Sequence, residues 1–242
     1  MKITQIISRL DESTGILMPF ICLGDDAEQY YAKGSNANGD GLIKEWICAN
    51  LGIAFGLPVP TPEILFLPPE LRDITKNEWK TDLQFDYLFA LKSAEPCHVI
   101  TVSDLRKIPP ELKRDLLVFD AWIRNEDRNL TDTGGNPNLL IIDPSNELAV
   151  IDHNNAFDHD FNEKDVRSYH VFRDTLETHP IQIPERCDYA ERFEKTLTEF
   201  ESIISHIPSE WIESNSDNYA KLASFKEVLK GYEKDDFWGW LR

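Results

Sequence analysis

The stretch "RNEDRNLTDTGGNPNLLI" (residues 124–141) combines an acidic residue in a polar cluster, a glycine turn, and two asparagines ahead of an apolar run. Loops built of such residues ordinarily mean only a turn. Here it is followed by "LAVIDHNNAF" (148–157), which puts a second acidic residue at the end of another apolar run. The runs "NLLII" and "LAVID", joined by "DPSNE", predict a hairpin. Asp127, Asn138 and Asp152 then lie at successive element ends, which calls for more than turn chemistry.

Outward from this stretch the pattern changes twice. "IPPELKRDLLVFDAWIRN" opens with proline at a helix start and sets Leu112, Leu116, Phe119 and Ile123 on one face, predicting a helix that runs into the Asp127 loop. "LIKEWICANLGIAFG" repeats Leu42, Trp46, Ala49 and Ile53 at helical spacing and stops at Gly56, where "LPVPTP" forces extended chain. Residues 1–33 read as β-rich through "ITQII", "LMPFICL" and "QYYAK". "GSNANGDG" (34–41) reads as a loop, and "EILFLP" and "FDYLFALKSA" read as strands. From about residue 185 the chain turns helical, with Phe193, Leu197, Phe200 and Ile204 in register and "DNYAKLASFKEVLKGY" following. The order predicts an α+β chain of two lobes with a cleft between them: a β-rich lobe at 1–95 and a mostly helical lobe at 96–242.

With 242 residues, 41% hydrophobic and 28% charged, the composition is that of a soluble globular protein. No window approaches 18 uninterrupted apolar residues, so no membrane partner is expected, and "MKITQIISRLDESTG" has no signal-peptide pattern. Cys22, Cys48, Cys97 and Cys187 form no CxxC pair, which points to reduced thiols and a cytoplasmic setting. A formal charge of −18 without a clustered Lys/Arg stretch makes nucleic acid a poor partner. Any phosphate-bearing ligand must therefore be held by a few well-placed cations.

One such cation is Lys33, at the end of a predicted strand, with Glu45 on the helix that follows. A strand lysine oriented by a helix glutamate is a phosphate-neutralising pair in phosphoryl transfer. The plainer reading is a solvated lysine and a surface glutamate. Asp127 can orient a substrate hydroxyl and accept its proton, or can merely cap a turn and pair with Arg124 or Arg128. Asn136 and Asn138 can offer amide oxygens to Mg²⁺, as Asp152 can offer a carboxylate, or can be simple turn residues. Each signal is weak alone; their order along one chain is not.

In that order, "YYAK", "LIKEWICANLGIAFGLPVP", "FDAWIRNEDRN", "NPNLLI" and "LAVIDHNNAF" resemble the HipA-like kinase family, in its short bacterial branch, over residues 10–160. The Asp-Arg loop is also similar to that of the phosphatidylinositol 4-kinases. The resemblance implies a two-lobed protein-kinase-like fold that uses ATP and Mg²⁺, with Ser/Thr hydroxyls of a protein as acceptors. It implies Lys33 as the phosphate-binding lysine, Glu45 as its partner and Asp127 as the catalytic aspartate. Asn138 and Asp152 would be the Mg²⁺ ligands, adenine would lie near "LFALKSA", and "DESTG" would cover the phosphates. One departure stands out: a metal asparagine follows the catalytic aspartate by about five residues in protein kinases, whereas Asn138 lies eleven beyond Asp127 and position 132 is aspartate. Rigid support favours Asn138, which adjoins a strand, over Asp132 in "TDTGG".

Two other readings use the same residues. One keeps the fold as a nucleotide-binding pseudokinase or interaction module, and a kinase-like fold could also transfer AMP. The other is a metallohydrolase built on "DHNNAFDHD" (152–160), with Asp152, His153, Asp158, His159 and Asp160 as ligands. His98, His170, His179 and His206 read as surface or packing residues. The aromatic tail "DDFWGWLR" reads as packed on the helical lobe.

Overall fold

Alternation of apolar residues within the first 92 residues builds an antiparallel sheet. The computed structural model describes residues 1–10, 18–131 and 134–241. Strands β1 (Ile3–Arg9), β2 (Phe20–Gly24), β3 (Gln29–Lys33), β4 (Pro62–Phe66) and β5 (Tyr87–Lys92) pair in the order β1-β2-β3-β5-β4. Successive side chains point to opposite faces. Phe20, Cys22, Tyr30, Ala32, Leu88 and Ala90 therefore share one buried cluster, against which Leu71 and Trp79 pack. Leu71 belongs to a short helix, α2 (Pro69–Ile74). The other face carries Ile21, Tyr31 and Leu91 in one cross-strand row, all half-buried, with Lys33 opposite Phe89 beside it.

The segment 34–41, expected as a loop, is instead a 3-10 turn (Ser35–Ala37) running directly into helix α1 (Asn38–Phe55). Gly39 serves packing: a Cβ there would fall 2.2 Å from the Trp211 carbonyl oxygen. The helix ends at Gly56, as its sequence predicts. Leu42, Ile43, Ile47, Cys48, Leu51 and Phe55 are buried in a large cluster that also holds Phe89, Leu116, Phe119 and Trp211. Although it belongs to the first 95 residues, α1 thus shares its core with the C-terminal helices.

That C-terminal region contains β6 (Cys97–Val99), α3 (Val102–Leu105), α4 (Pro110–Trp122), β7 (Leu139–Ile142) and β8 (Glu147–Val150). β7 and β8 form the expected hairpin; β6, too short to show alternation, adds a third strand in the order β6-β7-β8. Among the described residues the α-helices that follow are α5 (Glu163–Tyr169), α6 (Asp174–Thr178), α7 (Ile183–Leu197), α8 (Phe200–Ser205), α9 (Ser209–Glu213), α10 (Asn218–Leu229) and α11 (Asp235–Gly239). The tail packs as expected: Trp238 and Leu241 are buried in the large cluster. Among the described residues, no helix is long and apolar enough to cross a membrane.

Candidate active site

Strand β3 ends at Lys33, and α1 brings Glu45 against it. The Lys33 ammonium pairs with Glu45 Oε1 and with Asp152 Oδ1 at 2.8 Å. Glu45 is almost wholly buried, and its second oxygen accepts the His153 backbone N–H at 2.9 Å. One carboxylate therefore ties the lysine to the segment that leaves β8. Burial opposes the charge on Lys33, but the two carboxylates outweigh it and raise its pKa. Burial pushes the Glu45 carboxyl up, partly offset by Lys33. Asp152 is lowered, because the Lys33 ammonium overcomes the penalty of burial.

A second group forms where α4 ends. Asp127 Oδ2 accepts amide N–H groups from Asn155 at 3.0 Å, Asn136 at 3.1 Å and Asn138 at 3.3 Å. Burial raises its pKa, those amides act against the rise, and the charge of Asp152 adds to it. Asn138 and Asp152 flank the hairpin at the same end, since the Ile151 N–H donates to the Asn138 carbonyl at 3.1 Å. Both adopt left-handed φ, 49° and 59°, a conformation that Asn and Asp tolerate better than most residues. Five residues selected from the sequence thus converge where β3, α1, the loop after α4 and the ends of the β7–β8 hairpin meet.

The eleven-residue spacing is accommodated by a fold-back. The Asn129 N–H meets the Asn136 carbonyl at 3.0 Å, and Thr131 and Gly134 exchange backbone bonds at 2.9 and 3.1 Å. Gly135 makes the close return feasible: its φ is 157°, and a Cβ there would lie 2.6 Å from the Asn129 carbonyl oxygen. Asn138 consequently re-enters beside Asp127. Asp132, the alternative ligand, and "DESTG", expected over the phosphates, lie outside the described residues.

Beneath both groups is a buried polar network that local pattern did not reveal. Arg128, one of the two arginines that could have paired with Asp127, turns instead to Asp120 of α4, with Nε 2.7 Å from Oδ2. Both side chains are completely buried. Arg128 Nη1 donates to the carbonyls of Asn138 at 2.6 Å and Ile151 at 3.2 Å. Asp120 also meets His170 Nε2 at 3.0 Å and accepts from Asn125 Nδ2 at 3.0 Å. Arg128 and His170 hold the Asp120 carboxyl below the usual range despite its burial. His170 is thus a buried polar partner. The available signal was an acidic residue inside the apolar stretch "LLVFDAW".

The metal cluster of the alternative metallohydrolase reading, on residues 152–160, does not assemble among the described residues. Asp152 faces Lys33, His153 is buried and lowered to about 3 by desolvation, and Asp158, His159 and Asp160 are exposed. Among the described residues, no group of three or more His, Cys, Asp or Glu side chains could hold a metal ion. A cleft of about 790 Å³ is lined by Lys92, Ser93 and Ala94 at the end of β5, but none of the five convergent residues lines it.

A sheet-rich N-terminal region, a helical C-terminal region and a lysine–glutamate pair facing a loop aspartate define the class of two-lobed kinases. The chain belongs to the HipA-like kinase family, whose model matches residues 3–241. Its fold is similar to that of a Helicobacter pylori proinflammatory kinase, CtkA, with a TM-score of 0.51 at 12% identity over 96% of this chain and 94% of that one. No curated protein matches it.

Proposed function

We propose that the protein is an ATP- and Mg²⁺-dependent kinase that phosphorylates Ser or Thr hydroxyls of a protein, working in a reducing cytoplasm. The observation that carries the reading is the Lys33 ammonium held between Glu45 and Asp152, with Asp127 and Asn138 beside it. In a chain of charge −18, such a cation is what can hold triphosphate oxygens. Residues 1–95 form the nucleotide lobe and 96–242 the catalytic lobe. Ile21, Tyr31 and Leu91 supply a half-buried apolar surface suited to adenine, near the end of β5.

In this assignment Glu45 orients Lys33, and Lys33 holds phosphate oxygens. The acceptor hydroxyl attacks the terminal phosphorus, the bond to the ADP oxygen breaks, and Asp127 accepts the hydroxyl proton. The amides of Asn136, Asn138 and Asn155 aim the Asp127 carboxylate. Asn138 and Asp152 fit Mg²⁺: a carboxylate and an amide at one hairpin end are hard oxygen donors, and Mg²⁺ takes few protein ligands alongside phosphates. Mg²⁺, when bound, neutralises phosphate charge.

Thermal denaturation with Mg-ATP tests the reading. At 100 times its dissociation constant the nucleotide stabilises the fold by roughly 2.7 kcal/mol, and Lys33→Ala weakens the shift. Absence of any shift at millimolar Mg-ATP would defeat both the kinase and the pseudokinase readings. The metal assignment has its own check. Asn138→Ala removes the Mg²⁺ dependence of ATP binding, whereas deletion of 131–134 lowers activity only modestly. Mg²⁺ dependence that survives Asn138→Ala but not Asp132→Ala reassigns the ligand.

A further inference from the structure

The segment between α5 and α6 lies against the Asp127 loop as a short strap. Asn129 and His170 form an isolated antiparallel bridge. The Leu130 N–H donates to the Tyr169 carbonyl at 3.2 Å, and the Val171 N–H to the Arg128 carbonyl at 3.0 Å. Arg173 Nη1 donates to the Leu130 carbonyl at 2.9 Å. At the centre of the strap, the buried His170 ring accepts the Phe172 N–H on Nδ1 at 3.1 Å. Its proton therefore sits on Nε2 and is donated to Asp120 Oδ2. Burial lowers the pKa of His170, and the Asp120 carboxylate opposes the shift.

We infer that His170 is a positioning residue for the catalytic loop: through Asp120 it holds Arg128, and through Arg128 the backbone that carries Asp127, Asn138 and Asp152. The inference rests on the kinase reading for its effect on turnover, and on geometry alone for its effect on the loop. Asp120 Oδ2 is the shared acceptor, taking His170 Nε2–H and Arg128 Nε–H together. Arg128 then reaches the carbonyl of Asn138 itself and that of Ile151, the residue before Asp152. Without the imidazole donor the carboxylate is free to turn, and the guanidinium with it. The ends of the β7–β8 hairpin then lose a fixed spacing to Asp127. Displacing a reacting group by about 1 Å costs on the order of 10²-fold in rate.

His170→Gln, His170→Asn and His170→Ala test this. The Gln amide reaches the Nε2 position and keeps the donor to Asp120; the Asn amide reaches only the Nδ1 position and loses it. Two readouts are taken: turnover with Mg-ATP, and amide hydrogen exchange over residues 125–131 compared with α7. His170→Asn and His170→Ala are expected to lower kcat on the order of 10²-fold with KM for ATP nearly unchanged. They also speed exchange in 125–131 by about tenfold, with α7 unaffected. His170→Gln restores both. If His170→Ala fails to fold, the Asn and Gln pair still carries the comparison. Unchanged exchange in 125–131, or Gln behaving like Asn, overturns the inference. Should the wild type show no turnover, the kinase reading fails, and the exchange data alone decide whether His170 holds the loop.

Discussion

Asp127→Asn is expected to remove about 10²–10⁴-fold of phosphoryl transfer, the range that a positioned base contributes, with the fold and its nucleotide affinity retained. The carboxylate is half-buried and its pKa is raised by desolvation, so removing its charge relieves part of a burial cost. An amide oxygen can still accept from the Asn136, Asn138 and Asn155 side chains that now converge on Oδ2. What asparagine cannot do is take the hydroxyl proton. Rate under saturating Mg-ATP and melting temperature should therefore separate completely. A variant that unfolds would show Asp127 to be a structural cap, and one that transfers phosphate at the wild-type rate would show that it is not the base.

Asp120→Asn has the opposite signature. Here the loss is of stability, about 3–5 kcal/mol, because a buried guanidinium is left without its charge partner. That is a large share of the roughly 5–15 kcal/mol that holds a typical domain. The site cannot relax into water: Asp120 and Arg128 are both fully buried, and the carboxylate takes donors from Arg128, His170 and Asn125. An asparagine also turns an NH₂ group toward one of those donors. The urea midpoint should fall with the slope unchanged. A loss below about 1 kcal/mol would mean that the network is dispensable to the fold.

These two aspartates, seven residues apart in one stretch, also mark how far the sequence could be read. Asp127 stood out because it sits in a polar loop at a helix end, where a carboxylate has little packing role. Lys33, Asn138 and Asp152 were legible for the same reason, each at or close to the end of a strand with a clear hydrophobic period, and Glu45 as an acidic residue on the helix that follows Lys33. The hairpin, α4 and the end of α1 at Gly56 followed from period and punctuation alone.

Other features were decided only by tertiary contact. Residues 34–41 have the composition of a loop, yet they enter α1 because Gly39 lets the helix approach the Trp211 carbonyl closely, and α9 lies far along the chain. β6 exists because Leu140, Ile141 and Ile142 give it a partner, not because three residues show alternation. Asp120 and His170 are fifty residues apart and meet only when the strap closes on the Asp127 loop. Hydrophobic period is a property of neighbours along the chain, and it fixes which face of each element is buried. Which buried polar groups satisfy one another depends on where distant elements stop, and that is settled only when the core has packed.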